Sequence, residues 1–563
     1  MRREASVVNK KVCSFPILFA LLALLIGTCA VVFPASAQAA PTSTGSITVS
    51  GTVASSYDAY QIFSANVVDG DSDAKIATDL AWASDAVRDA ALPVLHSAGM
   101  PNSQTTAQEA AEWLNTDSHL TSALSAQLAR SLQSSAAESV ALNAGTAAEL
   151  HCGYWLIVAD DGAIAQGEAG TAPIMALVGG SAVTVKPKAA TPKVSKHVLE
   201  DSTAAWQKAA DATVADDLYW RLSATVPAGL AAYDTYTVQF VDTMSAGLDP
   251  SKVAASMRVY VAAGADGGFD AVQTGKDGRA STEPAKGWTD ITAQCATKVA
   301  ADGKTFTVRT GDLVAALGGA DAFTAGARVV AVYNAPLSSA CSHGIAKGNP
   351  NEVYLRYPRS PFADQSGDAG FTRTPSDDAT AYTWDLALTK RGSDGDKPLA
   401  GAVLSIADDR GRTLAADGTW DAEGKATVTT GEDGRVTVSG VDSGKLEVRE
   451  LKAPKGYTAF EGTRSVTVKA EGLDVDQVAA AKPKLTITAE SPLRADSADG
   501  STGSLEASLI NTPTGTPPSI TTGGFMPSTG DMAMYAAAAA AVAGAALIVV
   551  ALLVKRGGGS HKE

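Results

Sequence analysis

One pattern limits the folds open to this chain more than any other: charged and amide side chains stand where core residues belong. Successive side chains of a β-strand point to opposite faces, so residues two apart share a face. Trp384, Leu386, Leu388 and Lys390 share parity, as do Leu446, Val448 and Glu450, and Leu505, Ala507, Leu509 and Asn511. A Lys, a Glu and an Asn are thereby directed into one core. An earlier stretch repeats the arrangement. Val194, Lys196 and Val198 share a face, with Lys193 pointing the other way. Tyr236, Val238, Phe240 and Asp242 share another, and so do Asn351, Val353, Leu355 and Tyr357. Asn349 has the parity of Asn351 and stays open as its rival. In both stretches the Lys comes first and the Asn last.

Such a triad has a chemistry. Desolvation disfavours the ammonium, so a buried Lys becomes a neutral, nucleophilic amine, and a buried carboxylic acid keeps its proton. The acid then polarises the carboxamide and shuttles a proton to departing ammonia. The product is an intramolecular Lys–Asn isopeptide bond, made once at each triad. The expected pairs are Lys196 with Asn351, assisted by Asp242, and Lys390 with Asn511, assisted by Glu450.

Around these stretches the 563 residues divide into segments. Residues 1–39 read as a secretory signal: Arg2, Arg3, Lys10 and Lys11 precede an apolar run from Phe15 to Phe33 and the small residues Ala35, Ala37 and Ala39. Residues 40–190 mix strand and helix patterns. Ser46–Ser50 alternates like a half-buried strand; Thr106-x-x-Glu109 is a capping box; Ser118 is the expected cap of a helix carrying Leu120, Leu124, Leu128 and Leu132. Residues 191–378 and 379–512 are strand and turn text, with Asp394-Gly395, Asp417-Gly418 and Asp433-Gly434 as turns. A Pro/Gly/Thr linker, 513–525, leads to Met526-Pro527-Ser528-Thr529-Gly530. The uncharged apolar run 532–554 follows, long enough to span a bilayer as a helix, and then Lys555 and Arg556.

Composition excludes several functions. The net charge of −15 argues against nucleic-acid binding, which needs a basic footprint. There are six His and no H-E-x-x-H or G-x-S-x-G motif, so neither a zinc nor a serine hydrolase is expected, and no cofactor or metal. Asp69-Gly70-Asp71-Ser72-Asp73 lacks the closing Glu of a calcium loop and reads as an acidic turn. Cys13 and Cys29 lie in the signal segment. Cys295 and Cys341 fall in one domain and are able to pair, which leaves Cys152 odd.

The motifs resemble those of sortase-assembled Gram-positive fimbrial subunits. Met526–Gly530, the apolar run and the basic tail are similar to an L-P-x-T-G cell-wall sorting signal, with Met526 in place of Leu. Leu446-x-Val448-x-Glu450-x-x-Ala453-Pro454-x-Gly456-Tyr457 resembles the pilin E-box Y-x-L-x-E-x-x-A-P-x-G-Y, with Leu446 and Val448 departing from it. Lys397–Ala402 and Ile510–Pro513 look like the start and end of a Cna B-type domain. Phe240–Met244 and Gly348–Val353 look like a fimbrial isopeptide-forming domain, and Tyr57–Phe63 with Gly153–Ile157 like the family's N-terminal domain. Val183-Thr184-Val185-Lys186-Pro187-Lys188 matches the second half of the pilin motif W-x-x-x-V-x-V-Y-P-K, although Gly179 replaces the Trp and Lys186 the Tyr.

The resemblance implies a mainly β chain: tandem immunoglobulin-like and Cna B-type β-sandwiches after an α+β N-terminal domain, with a signal peptide and a transmembrane sorting helix at the ends. It implies that the triads are crosslinks, that sortase cuts after Thr529, and that Lys188 accepts the Thr of the next subunit. The implied partners are sortase, other pilin subunits and peptidoglycan, on a protein anchored in the cell wall. The function it implies is a structural pilus subunit without enzymatic turnover, supporting adhesion. The alternative is a wall-anchored or tip adhesin that binds host surface or matrix molecules and does not form the shaft.

Overall fold

The computed structural model describes residues 43–515, apart from 72–73, 117, 188–190, 229, 276, 320–322, 324 and 347. The expected signal segment, the sorting segment 526–563 and Lys188 therefore lie outside the described residues. What is described is mainly β, in three successive units.

The first unit is built on the 14-residue strand Ser56–Asp69. It lies between Lys75–Trp82 and Gly153–Ala159, with Ile174–Val178 beyond, and its first half also pairs with Ser139–Asn143. Both faces are covered. Helices Asp85–Ser97, Ala107–Asn115 and Ser122–Gln133 pack Ala91, Leu95, Leu114, Leu128 and Leu132 against Ile62, Phe63, Leu156 and Val158. On the other side, Thr44–Val49, Ala147–His151 and Val183–Val185 form a three-stranded sheet over Tyr57, Trp155 and Ile157.

The Thr106–Glu109 capping box is present in both directions. The next helix, however, starts at Ser122 with Thr121 as its cap. Ser118 is not the cap: its φ of 58° is left-handed, and Leu120 lies before the helix.

The second unit is a sandwich of two six-stranded paths. One runs Ala205–Gln207, Lys193–Glu200, Tyr219–Val226, Ala327–Asn334, Arg258–Ala263 and Thr289–Asp290. The other runs Ala209–Asp211, Asp377–Tyr382, Asn349–Pro358, Gln239–Met244, Thr305–Arg309 and Ala296–Val299, with Phe371–Arg373 at the side. The strand Asp377–Tyr382 pairs antiparallel with Asn349–Val353. The break expected between 378 and 379 thus falls inside a strand of this sheet, and the next unit starts at Trp384.

In the third unit, Trp384–Gly392 lies between Arg435–Val441 and the last strand, Ser504–Pro513. First and last strands run parallel, with Lys390 opposite Leu509 and Gly392 opposite Asn511. The facing sheet centres on Val403–Ala407, Gly444–Lys452 and Thr463–Glu471. Leu386, Leu388, Leu505 and Leu509 meet Leu404, Ile406, Val448 and Val466 between the sheets.

Leu388 is 1% exposed and packs beside Lys390 on the same strand face. Leu388→Ala is expected to cost about 2–5 kcal/mol, the range for an aliphatic truncation that leaves a cavity. Urea titration of the variant measures it; a change within experimental error would mean that this core is not closed.

Candidate crosslinking sites

The third unit assembles all three of its predicted residues. Lys390 is fully buried, Asn511 is 2% exposed and Glu450 6%. Lys390 Nζ touches Asn511 Oδ1 and lies 3.3 Å from Glu450 Oε1. Asn511 Nδ2 donates to both Glu450 oxygens, at 2.9 and 3.1 Å. Lys and Asn come from neighbouring strands of one sheet; the acid reaches across from the other.

Local sequence holds this geometry. The Asp433-Gly434 turn puts Gly434 at φ 72°, where its carbonyl accepts the Lys390 N–H at 2.7 Å. A Cβ there would stand 2.8 Å from Lys390 O, so only glycine lets the turn close on the strand. After Glu450, the Ala453-Pro454 segment turns the chain back. Tyr457–Thr458 then pairs with Thr512–Pro513, and the Phe460 N–H reaches Glu450 Oε2 at 3.0 Å. The tail of the E-box-like motif thus closes over the residue that follows Asn511.

The second unit also unites its triad, with the strands exchanged. Lys196, Asp242 and Asn351 are all 0% exposed. Asp242 and Asn351 lie on paired neighbours of one sheet, with Met244 opposite Asn351, and Lys196 comes from the facing sheet. Lys196 Nζ touches Asp242 Oδ2. The Lys196 backbone is fixed by its N–H to Asp377 Oδ2 at 2.7 Å. Asn349, the rival, belongs elsewhere: its amide donates to Ser342 O and Ala381 O and its oxygen accepts from Ser342 N.

Parity reading missed Tyr333. Its hydroxyl accepts from Lys196 Nζ at 3.0 Å and from Asn351 Nδ2 at 2.8 Å, and donates to Asp242 Oδ2 at 3.1 Å. The signal was present: Val329, Ala331 and Tyr333 share parity on a clear strand. An aromatic there reads as packing, and nothing in the spacing says that its hydroxyl meets the triad.

Desolvation acts on both lysines. Burial pulls Lys196 and Lys390 down from 10.5 to about 8, against the opposing pull of Asp242 and Glu450 respectively. Burial also raises the Asp242 carboxyl above its ordinary range, although Lys196 works the other way. In the second unit Lys196 and Asp242 are therefore both shifted toward their neutral forms, the pair that amide exchange requires.

The Cys295–Cys341 pair that the sequence allows is not formed; Cys152, Cys295 and Cys341 are free thiols. The Cys295 thiol hydrogen-bonds Ile291 O at 3.3 Å. Cys341 sits in a different loop, against Gly247 and near Asp385 of the third unit. Cys152 is buried while His151 faces outward. In the acidic turn, Asp69 accepts from the Ser181 N–H and from Lys75. Among the described residues no acidic, His or Cys group is arranged to hold a metal. Lys186, just before the proposed acceptor position, is exposed, and Val185 is buried, as parity requires.

If Asn511 is replaced by Ala, Lys390 stays a free, buried amine. Its folded value near 8 lies below the unfolded 10.5, so the unfolded chain binds the extra proton between them and stability rises with pH across that interval. Urea titrations of Asn511→Ala and of Asn511→Ala/Lys390→Met are expected to converge in that direction. A difference that ignores pH would show that Lys390 is not desolvated.

Residues 385–482 match the SpaA family model, a prealbumin-like fold domain. A trypsin-resistant surface T6 protein of Streptococcus pyogenes serotype M6 is 30% identical over 129 residues. That alignment spans 22% of this chain and 22% of the relative, about a fifth of its length. Among solved structures, the T6 backbone pilin of serotype M6 Streptococcus pyogenes is 16% identical with a TM-score of 0.44, covering 85% of this chain and 100% of that one. The full-length major pilin SpaD of Corynebacterium diphtheriae is 14% identical with a TM-score of 0.39, at 85% and 100% coverage. Residues 385–482, the part that matches the SpaA model, fall within the third unit.

Proposed function

We propose that the chain is the shaft subunit of a covalent, sortase-assembled surface pilus, with its two sandwiches locked by intramolecular Lys–Asn isopeptide bonds. The observation that carries this reading is the repeated dry triad: Lys196, Asp242 and Asn351 in one core, Lys390, Glu450 and Asn511 in the next, each with its acid in reach of the amine. A stable globular core gains nothing from a buried, unreacted lysine, because desolvating the ammonium costs free energy that an apolar residue would not. Reaction removes the charge permanently. The SpaA-type match and the similarity to a surface protein named for trypsin resistance support the same reading.

In this reading Met526–Gly530 is the sorting motif, with transfer at Thr529, and Lys188 is the amine that accepts the next subunit. Sortase, other subunits and peptidoglycan are the partners. The bonds form once, so the protein is a structural component and not an enzyme.

The intact mass of the extracellular part is expected to fall short of the sequence by two ammonia molecules. Glu450→Ala restores one and Asp242→Ala the other, and each variant loses up to about 5 kcal/mol of loop-closure stabilisation by analogy with a long disulfide loop. A wild-type mass equal to the plain sequence overturns the crosslinks.

Lys188→Arg keeps the charge and removes the primary amine. It is expected to abolish the ladder of high-mass species on denaturing gels while the monomer remains anchored through Thr529. Polymers that survive the change would exclude Lys188; absence of polymers from the wild type would favour the adhesin.

A further inference from the structure

The two triads share reactants but differ in how a proton can travel. In the third unit Glu450 alone spans both nitrogens, 3.3 Å from Lys390 Nζ and 2.9 Å from Asn511 Nδ2. In the second unit Asp242 touches the lysine, yet its Oδ1 and the Asn351 Oδ1 have no hydrogen-bond partner among the described residues. The group that joins acid, amine and amide there is Tyr333. Its single hydrogen and two lone pairs are all engaged, toward Asp242, Lys196 and Asn351. The ring is held edge-on against Phe306, with centroids 4.8 Å apart at 74°.

We propose that Tyr333 is a catalytic proton relay for the Lys196–Asn351 bond, passing the proton of Asp242 to the departing nitrogen of Asn351. The inference rests on that bond being formed, as argued above. Lys196 first yields a proton to Asp242, giving amine and carboxylic acid. The amine attacks Asn351 Cγ; the Nζ–Cγ bond forms and the carbonyl electrons move to Oδ1. On collapse the Tyr333 hydroxyl gives its proton to Nδ2 and takes one from Asp242 Oδ2, and Asp242 takes one from the attacking nitrogen. The Cγ–Nδ2 bond breaks and ammonia leaves. Tyr333 ends as it began and Asp242 ends as the carboxylic acid formed in the first proton transfer; counted from the free amine, the sum is amine plus carboxamide giving secondary amide plus ammonia. Burial holds the Tyr333 phenol well above its ordinary range, so gain and loss of the proton are concerted and no phenolate is formed.

The test follows bond formation in the full chain after a pulse of synthesis, with peptide mapping that counts the two crosslinks separately. Tyr333→Phe keeps the ring and its packing. It is expected to slow the Lys196–Asn351 bond about 100-fold or more, the scale of general acid–base catalysis, and to leave the Lys390–Asn511 bond at the wild-type rate. A folded Tyr333→Phe chain that forms both bonds at wild-type rates overturns the relay while leaving the crosslink intact. If the variant does not fold, a fluorinated tyrosine at 333 retains ring and hydroxyl. Its rate must then change with the acidity of the phenol, and an unchanged rate overturns the relay. A wild-type chain without the Lys196–Asn351 bond overturns that bond and the relay together.

Discussion

A lysine side chain in a dry core is the constraint around which both sandwiches are arranged. Its ammonium cannot be left unpaired, and its stem needs apolar company. The second unit meets the need with the Trp220 and Tyr333 rings, each 5.5 Å from Lys196 Nζ, and with Asp242. The third meets it with Glu450 and the carboxamide of Asn511. In the third unit one of the groups that relieve the desolvated amine, Asn511, is the one with which it is able to react; in the second, Asp242 and Tyr333 connect the amine to Asn351. Solvation and chemistry therefore place the same demand on the fold: the site must be closed before it is competent.

The two units reach this state by different routes. In the third, amine and amide are neighbours on parallel strands and the acid comes from the facing sheet. In the second, acid and amide are neighbours and the amine comes from the facing sheet. A bond in the third unit would tie two strands within a sheet; a bond in the second would tie sheet to sheet across the core. Exchanging which member crosses the core also changes which distances are short, which is why a hydroxyl intermediary is found in only one of them.

Much of this was legible in the residues, for a physical reason. Strand parity is a strict two-residue rule, so one charged residue among alternating apolar ones reports its direction without any knowledge of partners. All six inward residues are buried. What parity does not carry is contact across a core. Tyr333 lies on the strand Ala327–Asn334, but its meeting with Asn351 depends on how the sheets face each other. Register likewise decided between Asn351 and Asn349, which have the same parity. Chain pairing moved the boundary past Asp377–Tyr382, since a strand's sheet is chosen by hydrogen bonds far along the sequence. The helix Asp85–Ser97 was not foreseen because Pro93 interrupts its text, although the helix continues through it. The two cysteines of the second unit shared a domain without sharing a neighbourhood.

The parallel pairing of first and last strands has a mechanical consequence. A chain tethered at both ends is loaded where it enters and leaves each unit. In the third unit tension enters at Trp384 and leaves beyond Asn511, and these strands lie side by side. With Lys390 joined to Asn511, positions 121 apart in sequence become adjacent in the covalent path. The force then runs through the few residues before Lys390 and those after Asn511. The intervening loops, turns and facing sheet hang outside that path. They are free to vary in length and surface without altering that path, and the sandwich they complete encloses the Lys390, Glu450 and Asn511 side chains away from water.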